Sequence, residues 1–125
     1  MTTPVVAPAD PARACVEDNP SHSRFDLWVD GELVGILGYR AADGVTELPG
    51  GVGALTDGDV IALMHTVITE DFGGRGWAAV LVREVLEEVR VRGVRIRPVC
   101  TYLRRYLGTH PEYLPLLDDG LGELD

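Results

Sequence analysis

The alternation of apolar and polar positions divides the chain into readable blocks. "RFDLWVD" places Phe25, Leu27 and Val29 on one face and polar residues between them, which predicts a half-buried strand. Asp30–Gly31 follows, and "ELVGILGY" resumes the apolar run. Asp-Gly supplies the positive φ angles of a two-residue hairpin turn, so the stretch reads strand, tight turn, strand. "AADG" (41–44) marks another turn. "VTELPGGVGALTDGD" (45–59) could open a third strand, but "PGGVG" and "TDGD" are loop signals, and it reads as an extended hairpin loop or insertion. "VIALMHTVI" (60–68) is apolar at odd and even positions, which predicts a strand central in the sheet.

After residue 76 the period lengthens. Ala78, Leu81, Val82, Val85 and Val89 recur at helical spacing, with Arg83, Glu84, Glu87 and Glu88 opposite. That predicts an amphipathic helix over 77–93, with Gly93 as its stop. "VRIRPVC" (94–100) is strand-like, and Pro98 cannot donate to a ladder, so pairing should fail near its end. "TYLRRYLG" (101–108) predicts a short helix closed by Gly108, and the remainder is turn-like, then acidic and frayed. Residues 1–22 carry four prolines and no hydrophobic period, the pattern of a flexible tail.

The expected order is therefore three antiparallel strands, a central strand, a glycine turn, a helix, a strand and a short helix. The last strand pair and the helix between them form a parallel crossover, which should be right-handed. The class is α/β in the broad sense, an α+β mixed sheet. One domain is expected over 23–117, between the tail 1–22 and an acidic C-terminal tail 118–125.

Composition narrows the partners. The 125 residues suffice for one core, and no run approaches a membrane span. The N-terminus has neither a basic start nor a long apolar segment, so a cytoplasmic location is expected. A net charge of −9 argues against nucleic acid and suits a cationic substrate. All eleven basic residues are arginine, so the chain has no lysine of its own to acetylate. Two cysteines, Cys15 and Cys100, make no disulfide framework and fit a reducing compartment.

The sharpest local signal is "EDFGGRGWAAVLV" (Glu70–Val82), a glycine turn between a strand and a helix. Such a turn aims unpaired N–H groups, at the positive end of the helix dipole, towards an anion. A tight turn with no ligand is the plain alternative. A P-loop is excluded because the chain has no lysine. "GRGWAA" satisfies Gly-x-Gly-x-x-Ala, but the next strand, "RIRPVC", lacks the acid that a dinucleotide ribose requires, and hairpins precede the turn.

"GGRGWA" followed by "AVLV" resembles the acyl-CoA pyrophosphate loop of the GNAT N-acetyltransferases, Gln/Arg-x-x-Gly-x-Gly/Ala. Gly76 and Ala78 match its last two positions, and Gly73 stands where the family usually has Gln or Arg. "HT" (65–66), "PVC" (98–100) and "HPEY" (110–113) further resemble the small, single-domain YjdJ-like branch, over about residues 23–117. Val67 stands where the family usually has Glu, and the 46–59 loop is longer than expected for that branch.

The resemblance implies a minimal GNAT-like fold and transfer of an acetyl group from acetyl-CoA to an amine. It implies a cofactor site at Val67, Ile68, Gly73, Gly74, Arg75, Gly76, Trp77 and Ala78, with pantetheine paired where strands 60–68 and 94–100 diverge. Cys100 becomes the leading catalytic candidate, as acetyl acceptor or proton donor; otherwise it is core packing. Tyr106 is the candidate acid for the departing thiolate, or an ordinary half-buried tyrosine. His65 is a candidate base near neutral pH, although a histidine on such a strand is more often a hydrogen-bonded core residue. Trp77 either covers the cofactor or packs. Glu70 and Asp71 are read as capping the turn, and His110 as pinning the last turn with Glu112 and Tyr113.

No paired spacing supports a metal site. The sequence shows neither the N-terminal helix pair nor the extra C-terminal strands that wall the acceptor site in larger members. The acceptor site should then be open, suiting a cationic or peptide-like amine, or closure by a partner subunit in a homodimer. The alternative is a non-catalytic acyl-CoA-binding or sensor module, supported by the departures at Gly73 and Val67.

Overall fold

The computed structural model describes residues 8–118. Five strands form one sheet in the order β1-β2-β3-β4-β5. They are β1 (Ala14–Asn19), β2 (Arg24–Val29), β3 (Glu32–Ala41), β4 (Val60–Ile68) and β5 (Arg95–Pro98). Pairing is antiparallel from β1 to β4 and parallel between β4 and β5. Helix α1 (Trp77–Val91) makes the crossover, and α2 (Thr101–Thr109) follows β5. The mixed α+β sheet is the architecture the sequence predicts.

The β2–β3 hairpin forms through Asp30 and Gly31, both at positive φ, as the Asp-Gly pair requires. One face of the sheet carries Leu27, Leu37, Tyr39, Leu63 and Ile96, all fully buried. Helix α1 packs there through Leu81, Val82, Val85, Leu86 and Val89, and α2 through Leu103, Tyr106 and Leu107. Each helix buries the apolar stripe its period predicts, and this burial is the main drive for both to form.

Three expectations give way. Within the tail expected over 1–22, residues 14–19 form the edge strand β1, paired along its length with β2. Two of the tail's prolines, Pro11 and Pro20, open short 3-10 turns where their missing N–H costs nothing. The third antiparallel strand is therefore β1, and residues 42–59 are a connection containing a 3-10 turn at Val52–Ala54. Asp18 on β1 holds that connection down, accepting from the Val52 amide (2.7 Å) and from the buried Tyr39 hydroxyl (2.5 Å).

The second half of β4 is also not sandwiched. His65 and Val67 are exposed on the face away from the helices, and β4 lies second from the sheet's edge. Lastly, α2 runs through Gly108 to Thr109 and is capped at His110. Of the acidic tail expected over 118–125, all but Asp118 lies outside the described residues.

Candidate functional site

The parallel ladder between β4 and β5 has four pairs, Val60↔Arg95 to Leu63↔Pro98, and then stops. Pro98 has no N–H to continue it. The next two amides, of Val99 and Cys100, both turn onto the Leu63 carbonyl, each at 3.0 Å. On its other side β4 carries a bulge: Gly38 pairs with His65 and Tyr39 with Leu63, leaving Met64 as the extra residue. A bulge increases local twist and re-aims side chains. Beyond Leu63 the β5-side edge of β4 thus has no strand partner, and the two strands open like a V.

The glycine turn stands beyond the end of β4. Glu70–Phe72 forms a 3-10 turn, and the Glu70 carbonyl accepts from the Gly73 amide. Gly74 (φ 74°) and Gly76 (φ 96°) then take left-handed conformations, and Gly76 is the N-cap of α1. Among the described residues, nothing accepts from the amides of Gly74 through Ala79. These are the donors a helix start offers an anion. Gly73 differs: its φ is −67°, and an added Cβ would meet nothing nearer than the Glu70 carbonyl at 3.4 Å. Its backbone does not require glycine.

A groove of about 460 Å³ runs from the first turn of α1 along the seam with α2. Its walls include Ala79 and Arg83 of α1 and Tyr102, Arg105, Tyr106 and His110 of α2. This is the size range of small-ligand sites. Residues 9–11 border it, with the Ala9 amide donating to the Arg75 carbonyl at 2.8 Å and Pro11 on the rim.

Cys100 sits where β5 hands over to α2, as the N-cap of that helix. Its thiol is buried and lies 3.3 Å from the Thr66 hydroxyl, across the open V. Tyr106, six residues on, stacks on His110 at 3.8 Å between ring centres. Burial pushes the Tyr106 hydroxyl above the ordinary tyrosine range, so it stays protonated at neutral pH. Tyr102 is shifted the same way by burial, opposed by Arg105 and reinforced by Cys100.

The other candidates fall into two groups. The amides of Gly74, Arg75, Gly76, Trp77 and Ala78 gather at the turn, while the Arg75 guanidinium lies 5.5 Å over the Phe72 ring. The Trp77 side chain is core: it is 3 % exposed, and its indole N–H has no partner among the described residues. Of the two readings open for Trp77, cofactor cover or packing, its burial fits packing. Ile68 lies over Gly35 of β3. His65 and Val67 occupy the opposite face of the sheet from the helices, and the His65 ring covers Gly38, where a Cβ would come within 2.6 Å of it. The expectation that His65 is a core residue is thus replaced by an exposed imidazole lying over β3. His110 pins the end of α2 through the Tyr106 carbonyl (2.9 Å), and the Tyr113 hydroxyl donates to Glu87 of α1 (2.7 Å). Glu112 makes no such contact among the described residues, and neither Glu70 nor Asp71 caps the turn through its side chain.

Sequence reasoning passed over Tyr102 and treated Arg83 as solvated surface. The spacing of Tyr102 and Tyr106, four residues apart on one helix, was the available signal. Among the described residues, no three His, Cys, Asp or Glu side chains are grouped to hold a metal, and no helix is long and apolar enough to cross a membrane.

A parallel strand pair that opens before a glycine turn, with free amides at the crossover helix and a thiol at the cleft, defines the class as a small acetyltransferase-type α+β domain. The family model described as GCN5-related N-acetyl-transferase matches residues 24–116, and the chain belongs to that family. No curated protein matches the chain.

Proposed function

We propose that the chain transfers the acetyl group of acetyl-CoA to an amine, as a small, single-domain member of the YjdJ-like type. The observation that carries this reading is the conjunction at the opened V: free amides at Gly74–Ala79, an unpaired edge of β4, and the Cys100 thiol against Thr66. The turn amides, with Gly73 before them, would hold the pyrophosphate, and the edge of β4 at Val67 and Ile68 would pair with the amides of the pantetheine arm. Acetyl-CoA supplies the thioester.

In the reaction, a C–N bond forms between the amine and the acetyl carbon while the C–S bond breaks. The amine gives up a proton and the thiolate gains one. His65, exposed on the acceptor side, takes the amine's proton directly or through water. Tyr106, kept protonated by burial, gives one to the thiolate. Cys100 acts at the thioester, either accepting the acetyl group or supplying a proton. The family's usual carboxylate is Val67 here, which leaves His65 as the titratable group on that face of β4.

Intact mass spectrometry after incubation with acetyl-CoA, beside a thermal-shift titration with CoA, tests the reading. A CoA-dependent rise in Tm and one added acetyl group, absent in Cys100→Ala, are expected if Cys100 carries the acetyl. A Tm rise without that mass, but with amine acetylation lost in Cys100→Ala, assigns it the proton. Full transfer by Cys100→Ala removes it from the mechanism. Binding with no transfer to any amine would leave a non-catalytic CoA-binding module.

A further inference from the structure

A second cavity, of about 210 Å³, opens at the end of β5, between β4, the 42–44 turn and the first turn of α2. Its floor is Ala62 and Pro98, its walls Arg97 and Arg104, and its rim the Ala42–Gly44 turn. Ala62 lies in a row across the sheet between Arg40 on β3 and Arg97 on β5. A small residue between two long ones leaves a notch, and adjacent strands are only about 4.8 Å apart. The cavity touches Pro98, the last paired residue of β5, so a molecule seated there adjoins the split between the strands.

Its charges are unequal in availability. Arg97 is spent: two of its nitrogens meet Asp118 (3.0 and 3.1 Å) and the third donates to the Ala42 carbonyl (3.0 Å). Asp43 on the rim keeps its negative charge, but its acceptor sites are occupied. Its carboxylate accepts from the Thr46 hydroxyl and from the amides of Thr46 and Val45, which hold its pKa at about 2. Arg104 is different. Its Nε donates to the Pro98 carbonyl at 2.7 Å, which fixes the guanidinium over the end of β5, and its two terminal nitrogens have no partner among the described residues. Arg40, beside the notch, donates to the Tyr39 carbonyl and has no carboxylate partner among the described residues. The protein as a whole is strongly acidic, yet the side chains free to bind at this cavity are cationic.

We infer that the cavity selects an acceptor amine that also carries an oxyanion, a carboxylate or phosphate, and that Arg104 is the residue that binds it. This rests on the transfer reading above. The net charge of −9 led to the expectation of a cationic acceptor, but binding is decided by the groups that line the site. A pre-anchored guanidinium presents paired donors to a planar oxyanion. The small volume suits a compact head group, such as an amino acid or the end of a peptide.

The test compares matched primary amines at fixed acetyl-CoA: 3-aminopropanoate and 2-aminoethyl phosphate against propylamine and 2-methoxyethylamine, following CoA release. The anionic amines should be preferred in kcat/KM by about tenfold or more, the worth of one charge-assisted contact. Arg104→Gln should abolish that preference by raising KM for the anionic amines, and Arg104→Lys should restore part of it. Equal use of both series, or equal losses in both, overturns the assignment. Should no amine turn over, NMR of the arginine Nε–H groups in the CoA-loaded protein decides. Movement of the Arg104 signal with 3-aminopropanoate supports the site although the transfer reading has failed, and no movement at any concentration overturns it. CoA thermal shift reports separately on the cofactor site.

Discussion

The three turn glycines are not equivalent, and this can be measured. Gly76 has φ 96° and Gly73 has φ −67°. Forcing an L-residue into the left-handed region costs about 1–2 kcal/mol. Replacing a glycine whose φ is already permissive gains about 0.4–1 kcal/mol by restricting the unfolded chain. Space does not interfere in either case: the nearest atom to an added Cβ is 3.4 Å away at Gly73 and 3.8 Å away at Gly76, where it is Ala9 Cβ. Gly76→Ala and Gly73→Ala should therefore differ by about 2 kcal/mol in stability, with opposite signs relative to the parent. For a domain of this size that is a gap of roughly 6–12 °C in Tm. Thermal denaturation followed by far-UV circular dichroism, with and without CoA, reads both stability and binding. Gly76→Ala should also lose much of the CoA-induced rise, because the amides it orients are the proposed phosphate contacts. Gly73→Gln, which restores the family's usual residue where there is room for it, should enlarge the rise. Equal melting of the two alanine variants would refute the claim that positive φ fixes the start of α1. A full CoA response in Gly76→Ala would refute the turn as the anion site.

Further outcomes follow from other contacts. Asp18→Ala should lower stability by about 2–4 kcal/mol, because it orphans the buried Tyr39 hydroxyl and the Val52 amide together; urea unfolding of Asp18→Ala, Tyr39→Phe and the double variant would show whether the losses are coupled. Glu87 is held below the ordinary glutamate range by Arg90 first and by the Tyr113 hydroxyl second. Its contribution is present above the unfolded pKa and is lost as pH falls through the lower folded value, so Glu87→Gln should flatten the acid limb of Tm against pH below about 4.5. The Tyr113 hydroxyl, pushed up to about 12 chiefly by burial, stays a donor to Glu87 throughout that range. If His65 is the base, the pH dependence of kcat/KM for an amine should differ between the parent and His65→Gln; an unchanged profile would remove His65 from proton transfer.

The elements that became legible in sequence were those whose burial follows one period over a long run. The β2–β3 hairpin, β4, α1 and the failure of pairing at Pro98 belong to this group. β1 was not legible. "ACVEDN" has only Ala14 and Val16 facing the core, and its hold on the fold comes from Asp18, whose partners lie 21 and 34 residues away. No local pattern carries such a contact. β4 misled in the other direction: its apolar second half suggested burial on both faces, but nothing among the described residues covers His65 and Val67. At the site, the glycines and Cys100 were visible as residue types, and a family resemblance gave them meaning. The groove was not visible, because Arg83, Tyr102 and Arg105 meet only when α1 and α2 are laid side by side.

What unites the two cavities is where hydrogen bonding stops. A sheet continued past Leu63 and Pro98 would close the cleft between them. Three separate features prevent this: Pro98 lacks a donor, one carbonyl consumes the next two amides, and the bulge at Met64 turns β4 away. The helix groove is lined by α1 and α2, and the arginine-walled notch by the ends of β4 and β5 with Arg104 of α2. The groups left free for a donor are largely main-chain, whereas those left free for an acceptor are side chains. A backbone site tolerates substitution where the φ angle is one any residue adopts, as at Gly73, and not where it is left-handed, as at Gly76. A side-chain site is where members of such a family would diverge in what they accept, and Arg104 and Arg40 are the residues there with no carboxylate partner among the described residues.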